Sequence, residues 1–224
     1  MNKATLALSV ALSLTLVSCK KEEASPAGEV APAPTAAPAQ ATGPAIAGPG
    51  EQDRSEQQSK LDYATMEDDH INDPKGQWAS TAKASSAFGD ANTAPADSQS
   101  SSTPWQATGM PNGDSWNNNN QDIGFDWIEL AYSNPVKATE VRVVTAGNEA
   151  AESISKIELI DTEGTTHTIW SGLSETKRDT RGARTWITQK FEATPYQVKS
   201  VKLTFANNVA TGYKQVDAVQ LVSE

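Results

Sequence analysis

Apolar and polar side chains alternate along several short segments in the second half of the chain. Segment 127–132 places Ile128, Leu130 and Tyr132 on one face, and segment 200–205 repeats the pattern. A period of two residues is typical of a β-strand that is buried on one side. Segment 141–143 alternates as cleanly as 200–205, so Arg142 is expected on the solvent side. Segment 216–222 also shows the period, and segments 157–159 and 187–191 show it less regularly.

Turn-forming residues separate these segments and indicate the fold class. The turn signals are Asn134-Pro135, Asp161 to Gly164, Thr194-Pro195 and Thr211-Gly212. Short strands divided by such turns, without a long helical pattern, are typical of an antiparallel β-sandwich. The sequence therefore predicts an all-β domain over residues 61–224, with its ordered core at about 76–223.

The beginning of the chain has the pattern of a bacterial export signal. Lys3 precedes the uncharged, mostly apolar segment 4–17. An apolar core of about 14 residues is typical of an export signal, and it is shorter than the roughly 20 residues that a membrane-spanning helix needs. We therefore predict a signal peptide over residues 1–18.

Cys19, the only cysteine of the chain, follows this segment directly. Segment 16–19 (Leu-Val-Ser-Cys) resembles the lipobox of bacterial lipoproteins. The resemblance implies a diacylglycerol on the thiol, removal of the preceding peptide and acylation, for example by palmitate, of the new amino terminus. Lys20, where no aspartate stands, then favours the outer membrane of the cell envelope. The alternative is an ordinary secretory signal with an incidental cysteine.

The segment after Cys19 is predicted to be a tether. Residues 22–50 are almost entirely alanine, proline, glycine, serine and threonine, which bury too little apolar surface to offset the entropy of ordering. We predict a disordered Pro/Ala-rich tether over residues 19–60, which at about 3 Å per residue reaches on the order of 100 Å. A stalk and a passive linker fit this composition equally well. One short helix is expected within residues 51–70.

The net charge argues against one class of function. The chain carries 28 acidic and 18 basic side chains, for a formal net charge of −10. Such a charge argues against a nucleic-acid surface and against binding to anionic lipid by charge alone. No cysteine follows Cys19, so the stability of the domain has to come from its core.

A series of segments along the domain resembles a known family. These segments are 84–89, 105–112, 113–116, 127–130, 135–141, 157–161 and 216–221. Their order and number resemble the galactose-binding-like jelly roll, the group that includes discoidin and coagulation-factor type C domains. The resemblance implies an eight-stranded antiparallel jelly roll whose loops at one end bind ligands, often glycans.

The same resemblance implies a structural calcium near the loop after the first strand. The matching positions are Asn112 and Asp114, with Asp217 as a further candidate, and calcium binds six to eight oxygen ligands. The family commonly has an aspartate where Asn112 stands, so this chain lacks one charge there. Asp114 is equally explained as a turn residue beside Gly113.

Two tryptophans are candidates for sugar binding. Trp105 and Trp116 fall in a long, turn-rich segment, and Asn118 belongs to a run of four asparagines that follows. Indole rings stack against the apolar faces of sugars, and amides both donate to and accept from hydroxyl groups. The alternative is that both rings pack beneath the loop. Trp127 and Trp170 lie within predicted strands and are expected in the core.

Arg178, Arg181 and Arg184 form a basic segment in an otherwise acidic protein. Guanidinium groups suit carboxylates and sulfates, so this segment would favour an anionic glycan or an acidic partner. The alternative is a solvated hairpin loop whose arginines pair with nearby acids.

The sequence contains no recognisable catalytic arrangement. His70 and His167 belong to no nucleophile or metal motif, and Asp126 and Glu129 are expected on opposite faces of one strand. We therefore predict a membrane-anchored, non-catalytic module that binds carbohydrate at the cell envelope or surface. The alternative is an assembly lipoprotein that binds another envelope protein and has no sugar site.

Overall fold

The computed structural model describes residues 50–89, 102–147 and 149–224. The predicted signal peptide, Cys19 and most of the predicted tether lie outside the described residues. The described part is dominated by two β-sheets that pack face to face, and the pairings between their strands are antiparallel. The predicted all-β antiparallel sandwich is confirmed.

The elements are listed here in chain order. They are α1 (Glu51–Ile71), β1 (Gly76–Trp78), β2 (Thr81–Ala84), a 3-10 helix (Pro104–Ala107), β3 (Trp116–Asn117), β4 (Phe125–Val136), β5 (Ala138–Ala146), α2 (Glu149–Ser153), β6 (Ile154–Asp161), β7 (Thr166–Ser171), β8 (Thr185–Lys190), β9 (Val198–Ala206) and β10 (Gln215–Ser223). The first sheet has the order β1-β10-β5-β8, with β3 paired to β10, and the second has the order β2-β4-β9-β6-β7. The described residues form ten strands instead of the expected eight, because the short strands β1 and β3 add to the first sheet.

The core lies between the two sheets and follows the predicted alternation. Ile128, Leu130 and Tyr132 of β4 are all buried there, as are Val201 and Leu203 of the neighbouring β9. Burial of aliphatic and aromatic side chains on facing sheet surfaces is the main source of stability in such a sandwich.

The tether prediction is corrected at its C-terminal end, because residues 51–60 belong to α1. This helix has little apolar surface, and Tyr63 is its one buried residue. The Tyr63 hydroxyl donates to the Arg184 carbonyl oxygen at 2.8 Å, and Gln220 Nε2 donates to the His70 carbonyl oxygen at 2.8 Å. These contacts place α1 on the outer face of the first sheet. Within the described ranges, no helix combines the length and apolarity that crossing a membrane requires.

Arg142 differs from its expected position at the solvent side of β5. It is only 9% exposed, because the end of α1 and the turn after it cover this face of the sheet. Its Nη1 atom lies 2.9 Å from Asp73 Oδ2 and donates to Gln220 Oε1 at 3.0 Å. Strand periodicity predicts the direction of the side chain correctly, but it cannot predict that a helix covers that face.

Trp116 is part of the core and is not a surface ring. It is fully buried, its ring centroid lies 5.8 Å from that of Phe205, and its Nε1 atom donates to the Ser86 carbonyl oxygen at 2.9 Å. The sugar-stacking prediction for Trp116 is therefore wrong, and the alternative that it packs beneath the loop is correct.

The other tryptophans fit their predicted positions to different degrees. Trp170 is partly buried against the core. Trp127 is half-buried on the outer face of the second sheet, where Lys202 Nζ lies 4.6 Å from its ring centroid; its core prediction is wrong because the register of β4 turns it outward. Trp105 is half-buried in the 3-10 helix, which packs beside β2 and β10.

Replacement of Trp116 by alanine should strongly destabilise the domain. Removing a fully buried indole leaves a cavity and the Ser86 carbonyl without its donor, at a cost of about 3–5 kcal/mol in the free energy of unfolding. Urea denaturation followed by circular dichroism measures this loss. The matched variant Trp127→Ala removes a half-exposed ring and should cost clearly less; equal losses for the two would contradict the assignment of Trp116 to the core.

Candidate functional site

Three loops meet at one end of the sandwich, where they form what we call the loop end. They are residues 85–89, 118–124 and 206–213, which adjoin β2, β4 and β9. Backbone hydrogen bonds join the second loop to the third, from Asn207 N to the Gly124 carbonyl oxygen at 3.0 Å and from Gly212 N to the Gln121 carbonyl oxygen at 3.1 Å. The loop end is therefore a connected surface.

A buried carboxylate holds the three loops together from below. Asp126, at the start of β4, is 2% exposed. Its Oδ1 atom accepts hydrogen bonds from the hydroxyls of Ser85 at 2.8 Å and Ser86 at 2.7 Å. Its Oδ2 atom accepts from Asn118 Nδ2 and Asn207 Nδ2, each at 2.9 Å. One side chain thus contacts all three loops.

Hydrogen bonding keeps this carboxylate charged. Burial alone would raise the pKa of Asp126, but the hydrogen bonds from Ser86, Asn118, Ser85 and Asn207 together lower it below its ordinary value. The group is therefore an anion at neutral pH, and charge-assisted hydrogen bonds of this kind are stronger than neutral ones.

Asn118 was expected to bind ligand, and its position corrects that prediction. It is fully buried. In addition to its bond to Asp126, its Oδ1 atom accepts a hydrogen bond from Lys214 N at 2.7 Å. Its amide is used inside the protein, so it positions the loop rather than contacting a ligand. The exposed amides of the same loop are Asn119, Asn120 and Gln121.

Sequence reasoning missed the aromatic pair on the surface of the loop end. The ring centroids of Phe88 and Tyr213 lie 5.0 Å apart in an edge-to-face arrangement, and Phe88 is 48% exposed. Each aromatic residue adjoins a glycine with a positive φ, Gly89 or Gly212. The sequence signal that could have found the pair is an aromatic residue next to a turn glycine, because that position indicates a ring on a loop and not on a strand.

Other apolar side chains are exposed on these loops and at the start of β4, and positive charge is absent from the three loops. Ile123, Phe125 and Val209 are exposed by 76%, 68% and 43%. The sequences of the three loops contain no lysine or arginine, and their one charged residue is Asp122. Aromatic rings beside neutral amides suit a hydroxyl-rich, uncharged ligand with an apolar face.

Of the three arginines predicted to bind anions, two are already paired with carboxylates. Arg181 contacts Asp179 through two nitrogens, at 3.0 and 2.7 Å, and this contact lowers the pKa of Asp179. Arg184 Nε donates to Asp217 Oδ2 at 2.8 Å, while Arg178 is exposed. The solvated-loop alternative fits these contacts better than an anion site does.

The residues expected to hold calcium are engaged in hydrogen bonds with one another. Asp217 is 1% exposed. Its Oδ1 atom accepts from Asn112 N at 3.0 Å, and its Oδ2 atom accepts from Gly113 N at 3.2 Å in addition to Arg184. The Asn112 side-chain oxygen accepts from Asp114 N at 2.8 Å.

These contacts do not fit a calcium site. The carboxylate of Asp217 is neutralised by the Arg184 guanidinium, and a calcium ion in its place would require the arginine to leave. Across the three described ranges, no group of three or more His, Cys, Asp or Glu side chains is placed to hold a metal ion. Arg184 places a positive charge beside Asp217, where the resemblance implies calcium.

The two histidines lie at separate structural positions. His70 Nδ1 donates to the Met66 carbonyl oxygen at 2.7 Å, and its ring lies 5.1 Å from that of Trp186. His167 stacks on Tyr196 at 3.8 Å and lies 2.8 Å from Asp161 Oδ2. Neither contact is a nucleophile–base arrangement.

The acidic pair on β4 is divided between the two sides of the sheet. Asp126 points into the buried cluster, whereas Glu129 lies on the outer face and pairs with Lys83 at 3.1 Å. The two carboxylates therefore do not converge on a common substrate position, as the pair of a glycosidase does.

Solved structures similar to this chain include family 32 carbohydrate-binding modules. The module of NanJ from Clostridium perfringens, in complex with galactose, is 16% identical; the match covers 65% of this chain and 98% of that chain, with a TM-score of 0.47. CpGH89CBM32-5 from the same organism, in complex with GalNAc-β-1,3-galactose, is 14% identical, with coverages of 64% and 94% and a TM-score of 0.46.

A third match is the family 32 module of AlyQ in complex with 4,5-unsaturated mannuronic acid, at 14% identity, coverages of 66% and 99% and a TM-score of 0.45. No protein-family profile and no curated protein matches the chain. At these identities and TM-scores the matched modules carry no argument about a ligand, for which the geometry of the loop end is the basis.

Calcium should not change the stability of the domain. A site occupied at 100 times its Kd would add about 2.7 kcal/mol to the free energy of unfolding, but Arg184 already neutralises the buried carboxylate. We expect the melting temperature in millimolar calcium and in excess chelator to agree within about 1 °C. A rise of several degrees with calcium would contradict the arginine assignment.

Proposed function

We propose that this chain is a lipid-anchored, non-catalytic module of the bacterial cell envelope that binds a neutral glycan at the loop end. The observation that carries the proposal is the Phe88–Tyr213 pair, with Phe88 exposed and Tyr213 half-buried, on loops that also expose neutral amides and are fixed by the buried Asp126 cluster. A rigid surface with an aromatic ring and adaptable amides suits sugar recognition, because little entropy is lost when the ligand binds.

The charge of the site supports a neutral ligand over an anionic one. Sulfated or uronic sugars need a guanidinium or ammonium partner, and the three loops contain neither. Arg181 and Arg184 are paired with Asp179 and Asp217. Asp122, on the loop end itself, adds repulsion against an anionic chain.

The membrane anchor is proposed from the sequence of the N-terminal segment. The Leu-Val-Ser-Cys motif ends at Cys19, and a Pro/Ala-rich segment separates it from Gly50. A lipid on Cys19 would keep the module at the membrane, and the tether would let the loop end reach glycans at a distance from it. The proposed location is the outer membrane.

A second candidate function is contact with another envelope protein. The observation that favours it is the exposure of Ile123 and Phe125, because adjacent exposed apolar side chains are typical of protein contacts. Under this alternative the loop end docks an apolar surface of a partner and has no sugar selectivity.

Removal of the Tyr213 ring should weaken glycan binding. We expect the soluble mature chain, carrying Cys19→Ser, to bind at least one neutral oligosaccharide on a glycan array. Tyr213→Ala should then lower the affinity by roughly tenfold, corresponding to about 1.4 kcal/mol of lost stacking, with little change in melting temperature. Isothermal titration calorimetry measures the affinity.

The matched control for this experiment is Trp127→Ala, which removes an aromatic ring from the outer face of the second sheet and should leave the affinity unchanged. Absence of binding to every glycan, together with recovery of one envelope protein by crosslinking in cells, would instead support the second candidate function.

Replacement of Cys19 should release the protein from the membrane. Cys19→Ser removes the thiol that takes the lipid, so we expect the protein to move from the membrane fraction to the soluble fraction of disrupted cells. Immunoblotting of the two fractions measures the change, with Ser18→Ala as control. A wild-type protein that is already soluble would contradict the anchor.

A further inference from the structure

A fully buried lysine lies beneath the loop end. Lys214 has no exposed surface, although lysine side chains are rarely buried. Its three N–H groups are shared among four backbone carbonyl oxygens, those of Gln121 at 3.0 Å, Asn207 at 3.2 Å, Ala210 at 2.7 Å, and Gly212. Oxygen atoms surround this positive charge in the way that they surround a bound cation.

The four carbonyl groups belong to two different loops. Asn207, Ala210 and Gly212 lie on the loop that precedes Lys214, whereas Gln121 lies on the loop before β4. The ammonium thus connects residues 207–212 with residues 118–124. Backbone groups of such loops have no strand partner, and a buried carbonyl needs a donor.

The charge of this ammonium is compensated without a direct carboxylate partner. Burial lowers the pKa of Lys214, and the more distant carboxylates of Glu149, Asp126 and Asp122 oppose that shift. The oriented carbonyl dipoles compensate the positive charge at close range. A neutral side chain of the same length would leave all four carbonyls without this donor.

We propose that Lys214 acts as a tethered cation that positions the two loops of the glycan-binding surface. This inference rests on the proposed function of the loop end. Tyr213 directly precedes Lys214, so the ammonium fixes the backbone from which the Tyr213 ring reaches Phe88 at 5.0 Å. Lys214 has no exposed surface to offer a ligand; it is a positioning residue that acts through Tyr213.

The variant Lys214→Met tests this role, since it keeps the apolar stem and removes the ammonium. We expect glycan affinity to fall roughly tenfold or more, as the loops separate to hydrate their carbonyls. Hydrogen exchange gives a readout that needs no glycan. The amides of Gly212 and Asn207, which bond across the two loops, should lose protection, whereas amides of β9 and β10 should keep it.

Lys190→Met is the matched control. It makes the same chemical change at a side chain that is 76% exposed, and it should alter neither the affinity nor the protection of the loop amides. Unchanged affinity and unchanged loop protection in Lys214→Met would overturn the proposal.

Chemical rescue distinguishes the effect of the positive charge of Lys214 from the effect of its side-chain volume. In Lys214→Ala, n-propylammonium can replace the missing atoms, whereas n-propanol fills similar space without charge. We expect the amine, and not the alcohol, to restore loop protection and glycan affinity. Equal rescue by both would show that only a cavity is filled and would overturn the proposal. If Lys214→Met does not fold, recovery of folding in Lys214→Ala, followed by circular dichroism, applies the same comparison.

These measurements also distinguish a failure of this inference from a failure of the proposed function. A wild-type protein that binds no glycan, with loop protection lost in Lys214→Met, would contradict glycan binding while supporting the role of Lys214 in holding the loops. A wild-type protein that binds glycan, with affinity and loop protection both unchanged in Lys214→Met, would contradict only the role of Lys214.

Discussion

The loop end depends on a buried anion and a buried cation that satisfy backbone and amide groups which the sheets cannot reach. Asp126 accepts five side-chain hydrogen bonds from the three loops, and the Lys214 ammonium contacts four carbonyl oxygens from two of them. Asn118 bridges the two residues, since its Nδ2 donates to Asp126 Oδ2 and its Oδ1 accepts from the backbone N of Lys214. Loops built in this way are fixed by the chain itself, without a disulfide, and they can present exposed rings without a large entropic cost on binding.

Paired charges also attach α1 to the first sheet. Arg142 contacts Asp73 and Glu140 beneath the end of the helix region, and Arg184 links Asp217 to Glu67 of the helix. The guanidinium groups of Arg142 and Arg184 are paired with carboxylates inside the protein, so these two arginines stabilise the first sheet and its contact with the helix region. Asp217 of β10, where the resemblance implies calcium, is held instead by Arg184 and the backbone amides of Asn112 and Gly113.

The alternation of apolar residues was sufficient to predict the sandwich, because strands such as β4 and β9 have one buried face and a fixed period. It was insufficient for Trp116 and Trp127, whose exposure depends on the register between strands and on what covers each face. The alternation could not predict the burial of Asn118 and Lys214 either. A polar residue in a loop is usually solvated, and only the fold shows that these two are buried. The sequence also could not predict the role of Tyr213, because its contact with Phe88 forms only when the fold brings their two loops together.

The way α1 is attached has a mechanical consequence. Its N-terminal end at Gly50 is where the chain joins the described domain, so a pulling force between that end and a ligand on the loops passes through the helix before it reaches the sheets. One buried side chain, Tyr63, and a few polar contacts hold α1 in place, whereas the strands share continuous ladders of hydrogen bonds. The helix would yield first, and its 21 residues would extend to about 70 Å. Unfolding of α1 would thereby lengthen the chain under load while the loop end stays folded.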